Sequence, residues 1–193
     1  MIKHFLTFEK NIADLEGKIE DLKHISSNSD LNIAEEIGKL QNKVFDELTD
    51  TYSNLNPWQK VQVSRHGERP HTSDYIKNIF NDIILLHGDK KYADDSAIVG
   101  GLAKIDNNSI FFIGTEKGNT METRIKHNFG MAKPEGYRKV QRLLKLAEKF
   151  KLPLVSFVDT AGAFPGKDAE ERGQSESIAS SILHFLKVKI PTI

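Results

Sequence analysis

The stretch Phe157-Val-Asp-Thr-Ala-Gly-Ala-Phe-Pro-Gly166 runs from an apolar segment into a loop of small residues. Leu154 to Val158 is typical of a short buried strand, and the two glycines of the loop allow sharp turns that leave backbone N–H groups unshielded. A helix is expected next, because Asp168 and Glu171 have the spacing of a capping box. Its N-terminal dipole would favour negative charge, so the loop is a candidate site for an anionic oxygen.

The segments before the loop predict the rest of the sheet. Two runs rich in β-branched and aromatic residues, Ala97–Ile105 and Ser109–Ile113, are separated by Asp106-Asn-Asn, which is typical of a hairpin turn. Lys133-Pro134 begins a helix, and Pro153 leads into the strand before the loop. Strands that alternate with helices of this length imply βαβ crossovers, so we expect an α/β fold with a largely parallel sheet.

The final residues, Lys189–Ile193, have the composition of the opening of another strand. A parallel strand that stopped there would leave hydrogen bonds of the sheet unmade. We therefore expect the chain to be a fragment, truncated at the C-terminus.

Residues 1–55 predict a helical hairpin. Apolar residues recur at spacings of three and four on both sides of a polar break at Ser26–Asp30. They are Ile12, Leu15, Ile19 and Leu22 before the break and Ile33, Ile37, Leu40, Val44 and Leu48 after it. The pair could pack on its own domain, or serve as an interface arm for another subunit, because its apolar stripe is as narrow as a coiled-coil seam. We expect residues 1–55 to form this arm and residues 56–193 to form a second domain.

Two more helices are predicted before the sheet. Asn56 and Pro57 are suited to the cap and the first position of a helix that continues to about Arg65. Asp74–Leu86 has the apolar spacing of an amphipathic helix. Between them, Arg65–His71 carries two arginines and two histidines, which could grip the phosphates of a ligand or form a solvated connector.

Composition limits the classes of function. The 193 residues carry 27 Lys and Arg against 27 Asp and Glu, so no basic field favours nucleic acid. There is no cysteine, no apolar run approaches the roughly 20 residues of a membrane span, and the N-terminus lacks the apolar core of a secretory signal. The histidines are scattered, so no metal site is predicted. We expect a cytoplasmic protein that binds neither nucleic acid nor a membrane.

The small-residue loop remains the candidate site. Enzymes that stabilise an oxyanion use preorganised N–H groups, and they need small residues there so that the substrate can approach. Glu170 could act as a general base, whereas the predicted cap explains Glu171 without a function. The alternative is a tight turn between strand and helix that binds no ligand.

Several segments, taken together, resemble one enzyme family. Asn128–Lys139, Leu146–Phe150, Phe157–Gly166 and Ala169–Glu176 look like the alpha subunit of bacterial acetyl-CoA carboxylase carboxyltransferase. Pro57–Gln62 and the paired N-terminal helices are similar to that family as well. The resemblance therefore covers essentially the whole chain.

What the resemblance implies is a crotonase-like fold, here incomplete, and half of a carboxyltransferase site. In that family a carboxyl group passes from carboxybiotin on the biotin carboxyl carrier protein to acetyl-CoA, which gives malonyl-CoA in the first committed step of fatty acid biosynthesis. The implied partners are the beta subunit, in an alpha2beta2 heterotetramer, the carrier protein and biotin carboxylase, within a complex that binds ATP. Biotin would not be attached covalently to this chain.

By position, the resemblance assigns the oxyanion donors to the backbone N–H groups of Gly162 and Ala163. The residues that it expects to line the carboxybiotin pocket are Thr160, Ala161, Phe164 and Gly166. A further hypothesis gives Arg124 and Lys126 a supporting electrostatic role at this site.

The resemblance also places a glycine-rich segment with oxyanion-binding amides beyond the strand begun at Ile190, and the present sequence ends before it. We therefore expect this fragment to be inactive alone and active only with the beta subunit. One alternative is a non-catalytic assembly module of the carboxylase complex. Another is a stand-alone crotonase-like hydrolase or isomerase, which the lack of a convincing acid or base in the loop disfavours.

Overall fold

Two units, Met1–Arg69 and Pro70–Ile193, make up the chain. A computed structural model describes residues 4–25 and 31–193. The domain boundary predicted after residue 55 stays a prediction, and so does the role of the first residues as an interface arm.

The first unit contains the helical hairpin that the sequence predicts. A 3-10 turn at Thr7–Glu9 leads into α1 (Lys10–Ile25), which packs against α2 (Leu31–Ser53). The predicted stripe forms the core between them: Ile12, Leu15, Ile19 and Val44 are buried, and Ile37, Leu40 and Leu48 pack around them. The Tyr52 hydroxyl donates to the Glu9 carboxylate, and burial together with this carboxylate raises the pKa of Tyr52 to about 12. The predicted break at Ser26–Asp30 lies outside the described residues.

Helix α3 (Pro57–Ser64) begins as predicted. The Asn56 side chain accepts a hydrogen bond from the Gln59 N–H at 2.9 Å, and the Gln59 side chain accepts one from the Asn56 N–H at 2.8 Å. This reciprocal capping box satisfies two backbone donors that a helix start leaves unpaired.

The second unit begins with a helix that is shorter than predicted. Helix α4 (Thr72–Ile79) ends where Phe80 adopts an extended conformation, and β1 (Asn81–Leu85) follows. The prediction of one helix over Asp74–Leu86 is therefore wrong in its second half. Ile84 and Leu85 pair with the next strand, and Asp82 takes a left-handed conformation (φ 50°) at the irregularity between Asn81 and Ile84.

The sheet has the order β1-β2-β3-β4 and is mixed. Strands β2 (Ile98–Ile105) and β3 (Asn108–Thr115) form the predicted hairpin, and β1 pairs antiparallel with β2. Only β3 and β4 (Leu154–Phe157) are parallel among these pairings, so the expectation of a largely parallel sheet is wrong for the described residues. The predicted α/β class is confirmed, because a helical crossover still joins β3 to β4.

The crossover supplies most of the core. It contains α5 (Met121–Lys126) and α6 (Pro134–Phe150), and α6 covers the sheet with the apolar face that its spacing gives. The main buried cluster lies between α6 and the strands, and its large members are Ile98, Phe111, Ile113, Leu143, Leu144 and Leu154. A second cluster on Phe112 and Phe80 joins α4 to the sheet. Apolar clusters thus cover both faces of β2 and β3 in the middle of the sheet, whereas β1 is exposed.

Two helices follow the loop. Helix α7 (Lys167–Glu171) has Gly166 as its N-cap, without a side-chain cap, so the predicted capping box of Asp168 and Glu171 is wrong. Glu171 instead lies 3.4 Å from the exposed Lys167 ammonium. The chain then turns at Gly173 (φ 81°) into α8 (Gln174–Lys187), which packs on α6.

The last residues pair with β4, as the composition of the segment predicts. The Leu154 N–H donates to the Pro191 carbonyl at 2.9 Å, and the Ile193 N–H donates to the Leu154 carbonyl at 3.0 Å. A parallel bridge between Leu154 and Thr192 accompanies these bonds.

Candidate functional site

The candidate loop connects the carboxyl end of β4 to α7. Asp159 anchors its beginning, because its N–H donates to the Thr115 hydroxyl at 2.6 Å and its carboxylate lies 2.6 Å from the Lys117 ammonium. Farther on, Ala163 forms a parallel bridge with Ala132. The loop is thus held against the end of β3 and against the segment that precedes α6.

Thr160 organises the first turn of the loop. Its hydroxyl donates to the Gly130 carbonyl at 2.6 Å and accepts from the Gly162 N–H at 3.0 Å. The Gly162 carbonyl also lies 3.0 Å from the same hydroxyl. A hydroxyl has a single proton, and the shorter contact assigns it to the Gly130 carbonyl. Gly162 is therefore held through its N–H, so of the two predicted donors Gly162 already has an acceptor within the protein.

The Ala163 N–H is in a different state. Across residues 4–25 and 31–193 it has no hydrogen-bond partner, whereas the next amide, that of Phe164, donates to the Ala132 carbonyl at 3.0 Å. Ala163 is half-buried. A half-buried amide without an internal acceptor is free to bind a ligand oxygen or water.

The loop requires glycine at positions 162 and 166 for two different structural reasons. Gly162 has φ 147°, which L side chains rarely adopt, yet an added Cβ would meet nothing within 4 Å. An added Cβ on Gly166 would lie 2.4 Å from the Phe164 ring and 2.6 Å from the Asp168 carboxylate. Open space thus lies beside Gly162, and Gly166 is required for close packing.

The second half of the loop is held by Phe164 and its neighbours. The Lys133 ammonium lies 4.7 Å from the centre of the Phe164 ring, which is a cation–π distance. The amide nitrogen of Gln174, at the start of α8, donates to the Phe164 carbonyl at 3.1 Å and to the Ala132 carbonyl at 2.9 Å. Gln174 is 3% exposed. These contacts fix the backbone on the far side of Ala163.

A network of ion pairs links α6 to α7. Both carboxylate oxygens of Glu135 accept from the Arg172 guanidinium, at 3.1 and 3.2 Å, and Arg172 also lies 3.3 Å from Asp168. The nearly buried Asp89 carboxylate accepts from Arg138 at 2.8 Å. The bidentate pair of Arg172 with Glu135 fixes geometry as well as charge, so it ties the end of α7 to α6.

Charge is also buried at the start of β2. The Lys139 ammonium, on a residue that is 1% exposed, donates to Asp94 at 2.7 Å and to the Ile98 carbonyl at 2.7 Å. Burial alone would raise the pKa of Asp94, but the hydrogen bonds from Lys139 and from the Gly88 N–H lower it to about 2. Burial raises the pKa of Asp95, although its carboxylate accepts from the Ala97 and Lys133 N–H groups.

Arg124 and Lys126 are not brought to the loop by any contact among the described residues. The Arg124 guanidinium donates to the Gly118 carbonyl at 3.3 Å, on its own side of α5. Lys126 is exposed. Their supporting electrostatic role stays a prediction.

The other residues that the sequence analysis singled out lie outside the hydrogen-bond network of the loop or at its surface. Glu170 is exposed on α7, and Ala161 is exposed in the loop. In the basic passage Arg65–His71, the His71 ring nitrogen lies 3.3 Å from the Glu116 carboxylate, which accepts a hydrogen bond from the Ser73 N–H.

Within the described parts of the chain no cluster of His, Asp and Glu is arranged to hold a metal ion. No helix there is long and apolar enough to cross a membrane.

An apolar cavity of about 370 Å³ lies beside the same end of β4. Its lining comes from β3, β4, α6 and α8, and includes Ile113, Phe157, Val158, Ile182 and Phe185. Sequence reasoning did not predict this cavity, because the two helices that close it are distant in sequence. Gln174 and Glu135 were missed for the same reason, although both lie within the segments that carry the family resemblance.

The comparisons with known proteins agree with one another. A family model described as acetyl co-enzyme A carboxylase carboxyltransferase-like matches residues 5–193. The acetyl-coenzyme A carboxylase carboxyl transferase subunit alpha of Rhodospirillum centenum is 58% identical over 98% of this chain and 60% of that protein. The protein of the same name from Paramagnetospirillum magneticum is 56% identical, with the same coverage. The chain thus spans about 60% of the length of these relatives.

Solved structures resemble the chain in fold. Transcarboxylase 12S superposes with a TM-score of 0.52 at 20% identity, over 65% of this chain and 23% of that one. A single-chain, multi-domain long-chain acyl-CoA carboxylase gives a TM-score of 0.52 at 22% identity, over 68% of this chain and 13% of that one. These likenesses confirm the predicted crotonase-like α/β fold. Since the family model matches nearly every residue, the chain belongs to the acetyl-CoA carboxylase carboxyltransferase family, as the resemblance indicates.

Proposed function

We propose that this chain provides the biotin side of an acetyl-CoA carboxyltransferase, as the alpha subunit. The reaction moves a carboxyl group from carboxybiotin to acetyl-CoA and forms malonyl-CoA, the first committed step of fatty acid biosynthesis. The family membership supports the reaction class, and the loop after β4 supports the position of the site. The observation that carries the proposal is the Ala163 N–H, which has no acceptor within the described part of the protein.

The Ala163 amide suits an oxygen that gains negative charge. Carboxybiotin, when bound, supplies the carboxyl group, and its ureido oxygen takes up charge as the bond between nitrogen and carboxyl carbon breaks. An N–H group that is already oriented stabilises such charge without reorganisation, and one such donor is worth about 2.7 to 4 kcal/mol of barrier. The open space beside Gly162 is compatible with a planar urea that approaches this amide.

The other loop residues shape the site rather than react. Thr160 holds Gly162 in its glycine-specific conformation, and Phe164 and Gly166 pack the turn into α7. The cation–π contact of Lys133 with Phe164 places positive charge near the loop, which favours an anionic ligand. The role of Gly162 as a second donor would require its amide to exchange the Thr160 hydroxyl for the ligand.

Acetyl-CoA and the partner subunits complete the proposal. The beta subunit would bind much of the CoA, in an alpha2beta2 heterotetramer, and the biotin carboxyl carrier protein would deliver biotin that biotin carboxylase has charged. All of these reactions would take place in the cytoplasm. The names of the relatives support the alpha role.

The proposal is tested in the reverse direction of the reaction. The complete gene product that carries this chain is combined with its beta subunit, and malonyl-CoA labelled in the carboxyl group is added with free biotin. Transfer of label to biotin, only when both subunits are present, is the expected result. Label that stays on malonyl-CoA with both folded subunits present would contradict the proposal, and decarboxylation without biotin would indicate a different activity.

A further inference from the structure

Gln174 is a buried polar side chain whose role the carboxyltransferase chemistry does not itself assign. It is the first residue of α8 and is 3% exposed. Its amide nitrogen bridges the carbonyls of Ala132 and Phe164, at 2.9 and 3.1 Å. Its carbonyl oxygen is the one buried side-chain N or O atom without a hydrogen-bond partner that the described residues contain.

The unpaired side-chain carbonyl of Gln174 lowers stability, so packing alone does not explain a glutamine at this position. Leaving a buried polar group unsatisfied costs about 1 to 3 kcal/mol, and an apolar side chain of similar size, such as methionine, would avoid that cost. The two N–H donations of Gln174 are therefore the feature that the position supplies. Both acceptors belong to the backbone that surrounds Ala163.

These bonds restrict the direction of the Ala163 N–H. On its N-terminal side, the adjoining residue Gly162 is held by the hydrogen bond that its N–H donates to the Thr160 hydroxyl at 3.0 Å. On its C-terminal side, the Phe164 N–H donates to the Ala132 carbonyl, and Gln174 holds both the Ala132 and the Phe164 carbonyls. Without Gln174 the C-terminal side would keep one of these three hydrogen bonds.

We infer that Gln174 is a positioning residue for the oxyanion donor: by bridging Ala132 and Phe164 it aims the Ala163 N–H at the ligand oxygen. The inference rests on the proposed carboxyltransferase function. The expected effect is on the transition state. A displaced N–H no longer stabilises the negative charge that develops there, whereas substrate binding stays largely intact. A displacement of about 1 Å at a reacting centre can cost on the order of a hundredfold in rate.

Gln141 provides a matched control within the same helix pair. Its amide nitrogen also donates to two oxygens of α8, the Ser177 carbonyl at 3.0 Å and the Ser181 hydroxyl at 3.1 Å. It makes no contact with the loop among the hydrogen bonds of the described residues. Gln174→Met and Gln141→Met thus each remove an amide nitrogen that donates to two oxygens. Only Gln174→Met removes donors to the backbone around Ala163.

Both variants are made in the complete gene product, combined with the beta subunit, and assayed for carboxyl transfer to biotin. Gln174→Met should lower kcat by about tenfold to a hundredfold, with the KM for malonyl-CoA changed less than about twofold. Gln141→Met should keep kcat within about twofold of the unmodified protein, and thermal unfolding of both variants checks that each is folded in the assay. Equal kcat values for the two variants would overturn the inference.

Gln174→Asn covers the case in which Gln174→Met does not fold. It keeps a neutral amide, and its side chain is one methylene shorter, so that it cannot bridge the Ala132 and Phe164 carbonyls as Gln174 does. A loss of kcat of similar size supports the inference, and an unchanged kcat overturns it. Failure of the unmodified complex to transfer any carboxyl group would instead refute the proposed function.

Discussion

Removal of the Thr160 hydroxyl is the perturbation that most clearly separates the two candidate donors. Thr160→Val keeps the shape of the side chain and deletes one donated hydrogen bond, to Gly130, and one accepted bond, from the Gly162 N–H. Each bond is worth about 0.5 to 1.5 kcal/mol net, and Thr160 is exposed, so we expect the loop to lose about 1 to 2 kcal/mol.

The loss is measured by hydrogen exchange of the loop amides in the complete gene product. About 1 to 2 kcal/mol corresponds to about 5- to 30-fold faster exchange of the Gly162 amide. Thr160→Ser retains the hydroxyl and should exchange at nearly the rate of the unmodified protein. If Thr160→Val exchanges at the original rate, or if Thr160→Ser is equally fast, the hydroxyl does not hold Gly162 and the reasoning fails.

Three further predictions concern the frame around the loop. Lys139→Met removes the cation that pairs with Asp94 and the donor to the Ile98 carbonyl, so it should lower the free energy of unfolding in urea by about 1 to 3 kcal/mol. The exposed control Lys149→Met should change it by less than about 0.5 kcal/mol, and equal effects would contradict a role for the buried ammonium. The pKa of Asp94 is lowered to about 2 from an ordinary 3.8, so its contribution to stability is present above about pH 4 and is lost as pH falls towards 2. When the free energy of unfolding is measured across this range, Asp94→Asn should show a smaller decline with falling pH than the unmodified protein. An equal decline would refute the assignment. Gly101→Ala should destabilise the protein by about 1 to 3 kcal/mol in thermal unfolding, because its Cβ would lie 2.0 Å from the Ile84 carbonyl oxygen, and a neutral effect would show that β1 yields without cost.

Periodicity predicted the helices that have an apolar face of their own. The hairpin stripe and the α3 cap are local features, and the structure contains both. Asp74–Leu86 was misread because Ile79, Ile83 and Leu86 keep a helical spacing across a change of element. The helix in fact ends at Ile79, and pairing of Ile84 and Leu85 with β2 outweighs that spacing. Strand pairing is a long-range property, so a local pattern cannot report it.

The position of the loop could be predicted from the sequence, whereas its hydrogen bonds could not. The small residues after a buried strand identified the loop, and the order of segments identified the family. The two amides that flank the Ala163 N–H have the Thr160 hydroxyl and the Ala132 carbonyl as their acceptors, and the second of these lies on a distant segment. The expected cap at Asp168 is wrong because α7 begins earlier than predicted, with Gly166 as its N-cap and Asp168 inside the helix. Residues such as Gln174 act through contacts that only the fold creates.

The central claim is that the Ala163 N–H stabilises the charge that develops on biotin. Replacement of Ala163 by lactic acid, through an ester in the backbone, deletes this N–H and keeps the side chain. The account predicts that kcat for carboxyl transfer then falls by about a hundredfold to a thousandfold, with folding retained. A folded ester variant that transfers carboxyl groups at the original kcat would contradict it.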